Sequence, residues 1–383
     1  MRRALACMAV AALAACTTGG LVEDRPDPMA TRATLERLLP DRLPDRDGWA
    51  RDIERAFTAL SLPADVEHLC AALAVTEQES SFRADPAVPN LPRLAREEIF
   101  RRAGRLRVPA VAVRMALQIE SPTGRTFDER LARVRTEREL SDIYEDFVAL
   151  APLGRRLLAG WNPVRTGGPM QVAIDFAERH ARRRPYPYET DASIRQEVFT
   201  RRGGMYFGIA HLLDYPADYP AMRYRFADFN AGHYASRNAA FQRAVAIASG
   251  QDIAIDGDLV RHGAAPGAAP GETEAAVRSL GDRLGMSDAQ IRRELELGDS
   301  IEFDRSPLLA AVYRLAETSP AKRLPRAAMP QIRLSGPKIQ RELTTEWFAN
   351  RVETRWRRCV ARGHTGDAAR SRGAARLARA RYP

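Results

Sequence analysis

The chain has 383 residues, 45% of them hydrophobic, enough to bury one large core or two smaller ones. Beyond its first residues, no segment is long and apolar enough to cross a membrane. The net charge is +10 and almost wholly arginine, with Lys322 and Lys338 the only lysines, so an anionic partner suits it better than a cationic one.

The chain opens on a positive stretch, Met1-Arg2-Arg3, and a short apolar run from Ala4 to Ala12. That run is too short to span a bilayer and reads as a secretory leader. Leu13-Ala14-Ala15-Cys16 then resembles the lipobox of bacterial lipoproteins. The resemblance implies cleavage before Cys16 and diacylation of its thiol. Thr17 in place of an Asp implies sorting to the outer membrane, facing the periplasm. An ordinary secretory signal with an incidental Cys16 is the alternative. Residues 16–30 are polar and contain proline, as a tether does. An exported lipoprotein rarely meets nucleic acid, so the expected anionic partners are peptidoglycan and lipid headgroups.

The body reads as mainly α. Trp49, Ile53, Ala56, Phe57 and Leu60 recur at helical spacing from Asp47 to Leu60. Pro63-Ala64-Asp65 is expected to open a second helix, with Pro63 in its first turn. That helix runs through Val66, Leu69, Cys70, Leu73 and Val75 toward Ser80, apolar on every side, and should be central and buried. Three further helices are expected at Leu94–Ala103, Val111–Ile119 and Glu139–Leu150. Strand signals are scarce. Residues 257–271, rich in Ala, Pro and Gly, read as a linker between a domain of residues 31–256 and a helical region of residues 272–362. The basic tail, residues 363–383, is expected to fray. In the C-terminal region Trp347, Phe348, Val352 and Trp356 cover one broad face, which must be buried against something.

Three short stretches carry the candidate chemistry: Gln78-Glu79-Ser80-Ser81-Phe82, then Gly167-Gly168-Pro169-Met170-Gln171-Val172, then Ala227-Asp228-Phe229-Asn230-Ala231-Gly232. In that order they resemble the signature of the soluble lytic transglycosylase and goose-type lysozyme superfamily: Glu-Ser-x-Phe, Gly-Leu-Met-Gln and Ala-Tyr-Asn-Ala-Gly. Tyr206 to Leu212 resembles the family's glycine-containing helix between the second and third motifs. The resemblance covers roughly residues 60–250. It implies a lysozyme-like helical domain that cuts the glycan strands of peptidoglycan, with no cofactor. Glu79 would be the catalytic acid and base. Ser80, Met170, Gln171, Phe229 and Asn230 would line the substrate site.

The departures are specific. About residues 90–163 are inserted between the first two motifs, and because both ends of the insert adjoin site motifs it is expected to border the groove. Pro169 stands where the family has Leu, and Asn90 where it has Ser. Phe229 replaces the tyrosine that in the family contacts the acid; Tyr206, Tyr224 and Tyr234 are the candidates to supply that hydroxyl instead.

A carboxylic acid protonates a glycosidic oxygen near neutral pH only if apolar surroundings raise its pKa. Glu79, at the end of an all-round apolar helix, suits that role. Periodicity alone does not exclude Glu77; the motif selects Glu79. A second carboxylate about 6.5–9.5 Å away would favour inverting hydrolysis, and Asp85, Asp175 and Asp228 are the candidates. The alternatives are therefore a muramidase and a cell-wall-binding lipoprotein without turnover. The six histidines form no His-Glu-x-x-His helix, so no metal is expected, and there is no phosphate-binding glycine loop or Gly-x-Ser-x-Gly elbow. In an oxidising compartment Cys70 and Cys359 either pair or stay as two buried thiols.

Overall fold

Asp27 caps the first helix, α1 (Pro28–Leu38), by accepting a hydrogen bond from the Met29 amide at 2.9 Å. Leu35 and Leu38 of α1 are fully buried, so the tether expected to reach residue 30 ends at this cap. This computed structural model describes residues 27–150, 162–261, 269–317, 323–334 and 343–380; the leader, Cys16 and most of the tether lie outside them. Among the described residues the fold is mainly helical, with two short antiparallel hairpins. None of those helices is long and apolar enough to cross a membrane.

The helix expected from Asp47 is α2 (Arg46–Leu60), and its whole apolar stripe is buried. Each such large side chain contributes about 1.5–3 kcal/mol when fully buried. Helix α3 (Val66–Ser80) starts later than its proline suggests. The Asp65 carboxylate accepts from the His68 amide at 2.9 Å and so sets the N-terminus, leaving Pro63 outside the first turn. As its composition predicts, α3 is central: Leu69 to Thr76 are all buried.

The insert folds on itself. Its helices are α4 (Leu91–Arg105), α5 (Ala110–Leu117), α6 (Phe127–Arg133) and α7 (Glu137–Leu150). Helix α6 was not expected from periodicity, although Thr126 and Glu129 form a capping box at its start. Phe127 and Phe147 meet edge to face at 5.2 Å inside the insert. A bridge between Ala87 and Thr136 and an Asp85–Arg138 ion pair at 2.9 Å tie it to the loop after α3.

The chain then makes the hairpin β1 (Thr166–Gly167) and β2 (Val172–Ala173). Five helices follow: α8 (Ile174–Arg183), α9 (Ile194–Val198), α10 (Arg201–Leu213), α11 (Met222–Ala231) and α12 (Ala235–Ser249). Gly208 in α10 is required by packing: a Cβ there would lie 2.5 Å from the Met170 sulfur, so only glycine lets the hairpin turn seat on the helix.

A second core forms on α12, where Phe241 and Val245 pack with Val277, Ile291, Phe303 and Val312. It takes in α13 (Glu272–Arg278), α14 (Gly281–Leu284), α15 (Asp288–Leu295) and α16 (Pro307–Ala316). The expected linker is partly inside this core. Leu259 and Val260 are buried, and the Gly257 amide donates to Gln242 Oε1 at 2.8 Å; residues 262–268 lie outside the described residues. Apolar side chains at 259 and 260 need cover that a solvated linker does not provide.

The second hairpin, β3 (Arg333–Leu334) and β4 (Leu343–Thr344), leads into α17 (Thr345–Ala380). The face of Phe348, Val352 and Trp356 packs against α3 and α11, and Cys359 is disulfide-bonded to Cys70 with Cα atoms 5.6 Å apart. The indole of Trp356 donates to the Glu67 carbonyl at 3.0 Å. The tail, expected to fray, continues this helix to Ala380.

Candidate active site

A cleft of about 850 Å³ lies where the three sequence stretches meet. Glu79 enters it from the last turn of α3, Gln171 from the hairpin turn, and Phe229 and Asn230 from the end of α11. The backbone around them is unusually constrained. Ser81, Phe82, Gln171 and Tyr234 all have positive φ, at 51°, 59°, 51° and 64°, which costs non-glycine residues energy and persists only where packing enforces it. At the first stretch the enforcing contact is Phe82, edge-on to Trp49 at 5.6 Å, which turns the chain sharply just after Glu79.

Geometry separates the two acids that periodicity left level. Glu79 lines the cleft, whereas Glu77 ion-pairs with Arg355 of α17 at 3.5 Å and does not. Gln171 is held by its own turn, its amide nitrogen donating to the Gly168 carbonyl at 3.2 Å. Asn230 Oδ1 accepts from the Thr345 hydroxyl at 3.0 Å, so the start of α17 braces the third stretch.

Two of the expected lining residues do not reach the cleft. The Ser80 hydroxyl is buried, donating to the Thr76 carbonyl at 3.1 Å and accepting from the Arg83 amide at 3.2 Å, so it shapes the helix end. Met170 is fully buried beneath the turn, against Gly208. The expectation that the insert borders the groove is also corrected: none of its described residues lines the cleft. Its helices pack on one another, and it attaches through the loop at Asp85–Ala87 instead.

No tyrosine lines the cleft among the described residues, and the three candidates point elsewhere. Tyr206 is buried beside His180 and the Pro185 carbonyl, Tyr224 accepts from Arg223, and Tyr234 packs on Tyr215 and beneath Arg237. The candidate second carboxylates are likewise outside. Asp85 pairs with Arg138, and Asp175 is exposed in the first turn of α8. Asp228 is buried and accepts from the Tyr215 and Tyr219 hydroxyls and the Tyr234 and Ser236 amides. Burial pushes the Asp228 carboxyl up, while those donors pull it down.

The cleft also holds residues that motif reading passed over. Asp258 and Asp299 line it from the second core, whose packing on α12 was not legible locally. Arg179 and Arg183, one turn apart on α8, make its wall basic. His211 and His233 stack with ring centroids 4.6 Å apart; they looked scattered because 22 positions separate them in sequence. Each ring donates to a backbone carbonyl, His211 Nε2 to Phe229 at 3.3 Å and His233 Nε2 to His211 at 2.7 Å. His211 Nδ1 is buried without a partner among the described residues. No group of described His, Cys, Asp and Glu residues has metal-binding geometry.

Residues 42–362 match the family described as "Protein of unknown function (DUF1615)". The chain belongs to this family. A relative from Escherichia coli (strain K12), "Uncharacterized protein YaiW", is 49% identical over 363 residues, covering 93% of this chain and 97% of the relative. No solved structure matches. The family match spans all three motif stretches, the insert, the second core and the disulfide, so these parts belong to one family architecture.

The neutral state of His211 has a consequence for stability. Burial, reinforced by His233, holds its pKa down at about 3, against an ordinary 6.5. Between those values the unfolded chain binds a proton at this position and the folded chain does not. Stability therefore falls as pH drops through this window, by up to about 1.4 kcal/mol per pH unit for one group. Urea unfolding at pH 6.5, 5.5 and 4.5 should show a slope smaller by about one proton in the His211→Gln variant than in the wild type. Equal slopes would mean that His211 protonates without cost.

Proposed function

We propose that this family member is a peptidoglycan lytic transglycosylase with a lysozyme-like catalytic core, carried on a lipid anchor at Cys16 in the outer membrane. The supporting observation is the convergence of Glu79, Gln171, Phe229 and Asn230 in one cleft, from stretches far apart in the chain. A cleft of about 850 Å³ suits an extended polar ligand of several rings. Phe176 and Phe229 offer apolar faces to sugar rings, and Gln171 and Asn230 offer amides to N-acetyl groups. Arg179 and Arg183 suit the carboxylates that peptidoglycan carries on its lactyl and peptide substituents.

In this reading Glu79 donates its proton to the oxygen between MurNAc and GlcNAc as that bond breaks. The substrate's N-acetyl oxygen assists at the anomeric carbon in place of a second carboxylate. The Glu79 carboxylate then takes the proton of the C6 hydroxyl while O6 bonds to C1. The product is a 1,6-anhydro end, and the acid is regenerated without water or a cofactor.

One observation favours a second reading. Asp258 and Asp299 share the cleft, and a carboxylate across the groove from Glu79 would activate water for hydrolysis. Mass spectrometry of purified sacculi digested with the protein separates the two. The expected product carries anhydro ends. Reducing ends would transfer the assignment to a muramidase, and no release at all would leave a cell-wall-binding protein.

A further inference from the structure

The insert carries a surface that the cleft does not use. Of the large apolar side chains left exposed among the described residues, Leu106, Val108, Val111, Met115 and Ile119 are consecutive along one short stretch. Val111, Met115 and Ile119 are 55%, 69% and 49% exposed and follow one another at intervals of four, forming a single stripe along α5 and its end. The opposite face of α5, Val113 and Leu117, is buried in the insert, so the helix is apolar both inward and outward. Beside the stripe lies an almost wholly apolar groove of about 430 Å³, lined by Ile99, Ala103, Leu106, Val108, Phe127 and Phe147. A soluble surface rarely leaves such a patch open without a partner.

Charge identifies the partner. From Arg101 to Ile119 the sequence holds five arginines and no acidic residue. Arg101 and Arg102 are paired with Glu98, but Arg105, Arg107 and Arg114 are exposed and make no ion pair among the described residues. Guanidinium groups beside an exposed aliphatic stripe match the interface of an anionic bilayer: the aliphatic residues enter the acyl boundary and the arginines meet the phosphates. The tether supplies proximity. From Cys16 to Pro28 the chain takes 12 steps, a reach of about 40 Å when fully extended. A body anchored at Cys16 therefore never leaves the neighbourhood of its membrane.

We propose that the α4–α5 corner of the insert is a second membrane contact, docking its Val111-Met115-Ile119 stripe and flanking arginines onto an anionic phospholipid bilayer. The contact holds the body in a set orientation on the membrane. The face itself is independent of the catalytic reading; only the proximity argument rests on the anchor at Cys16.

Hydrogen exchange on the full mature chain tests this, measured alone, with phosphatidylcholine vesicles and with vesicles containing phosphatidylglycerol. The expected result is slowed exchange across residues 104–120 only with the anionic vesicles, lost in a Val111→Glu/Met115→Glu variant that unfolds at the wild-type temperature. No slowing with anionic vesicles overturns the proposal. So does slowing that needs no vesicles and grows with protein concentration, which would assign the face to a second copy. Slowing that survives in the variant overturns it as well. The mass of the mature chain reports separately whether Cys16 is acylated, and cleavage of sacculi reports on the cleft, so each reading can fail alone.

Discussion

Replacing Glu79 by Gln is expected to lower the release of glycan fragments from purified sacculi by about 10²–10⁴, the usual worth of a positioned proton donor. The substitution keeps the shape of a side chain that lines the cleft from the last turn of α3, and removes only the transferable proton. Folding should be unaffected, because a hydrogen-bonded amide is no harder to bury than a protonated acid. Glu77→Gln is the matched control. Glu77 sits on the other side of the same turn, paired with Arg355 at 3.5 Å, and a partly exposed pair of this kind contributes at most about 1 kcal/mol. Its loss should leave cleavage near the wild-type rate. If Glu79→Gln cleaves normally while Glu77→Gln does not, the acid has been misassigned. If both cleave normally, the chemistry belongs to neither.

Breaking the Cys70–Cys359 disulfide should produce the largest loss of stability. The bond closes a span of 289 residues and fastens α17 to the central helix α3. Removing a native disulfide commonly costs about 2–5 kcal/mol, and the chain-entropy picture puts the upper limit for so long a loop at about 5–6 kcal/mol. Urea unfolding of the Cys70→Ser/Cys359→Ser variant should show a fall in unfolding free energy of that size, reproduced by reductant in the wild type. The docking itself should persist, because Phe348, Ala349 and Val352 remain buried. Activity should decline in parallel with stability, since α17 supplies Phe348 to the cleft and Thr345 to Asn230. A variant as stable as the oxidised wild type would show that the thiols lie close without forming a bond that matters.

Much of the fold was legible because its signals are local. The stripe of α2 repeats every three to four residues, and α3 is apolar all round, so their burial follows from composition and period alone. The face of Phe348, Val352 and Trp356 predicted docking, but not the surface that receives it. Local signals also misled. Pro63 looked like a helix start, yet Asp65 makes the capping hydrogen bond. Residues 257–271 looked like a free linker, yet Leu259 and Val260 are core.

The site divides in the same way. Glu79, Gln171, Phe229 and Asn230 could be named from the sequence because each sits in a short run of recognisable residue types. Their meeting in one cleft, the exclusion of Ser80 and Met170 from it, and the entry of Asp258, Asp299, His211 and His233 depended on contacts between distant segments. The sequence by itself determined a mainly helical chain and its buried central helix, because periodicity and composition act over one or two turns. Only the tertiary structure put Glu79 in the cleft and Glu77 outside it, paired Cys70 with Cys359 and turned the insert away from the cleft. Which face meets which is set by the packing of whole helices, and no short stretch of sequence carries that information.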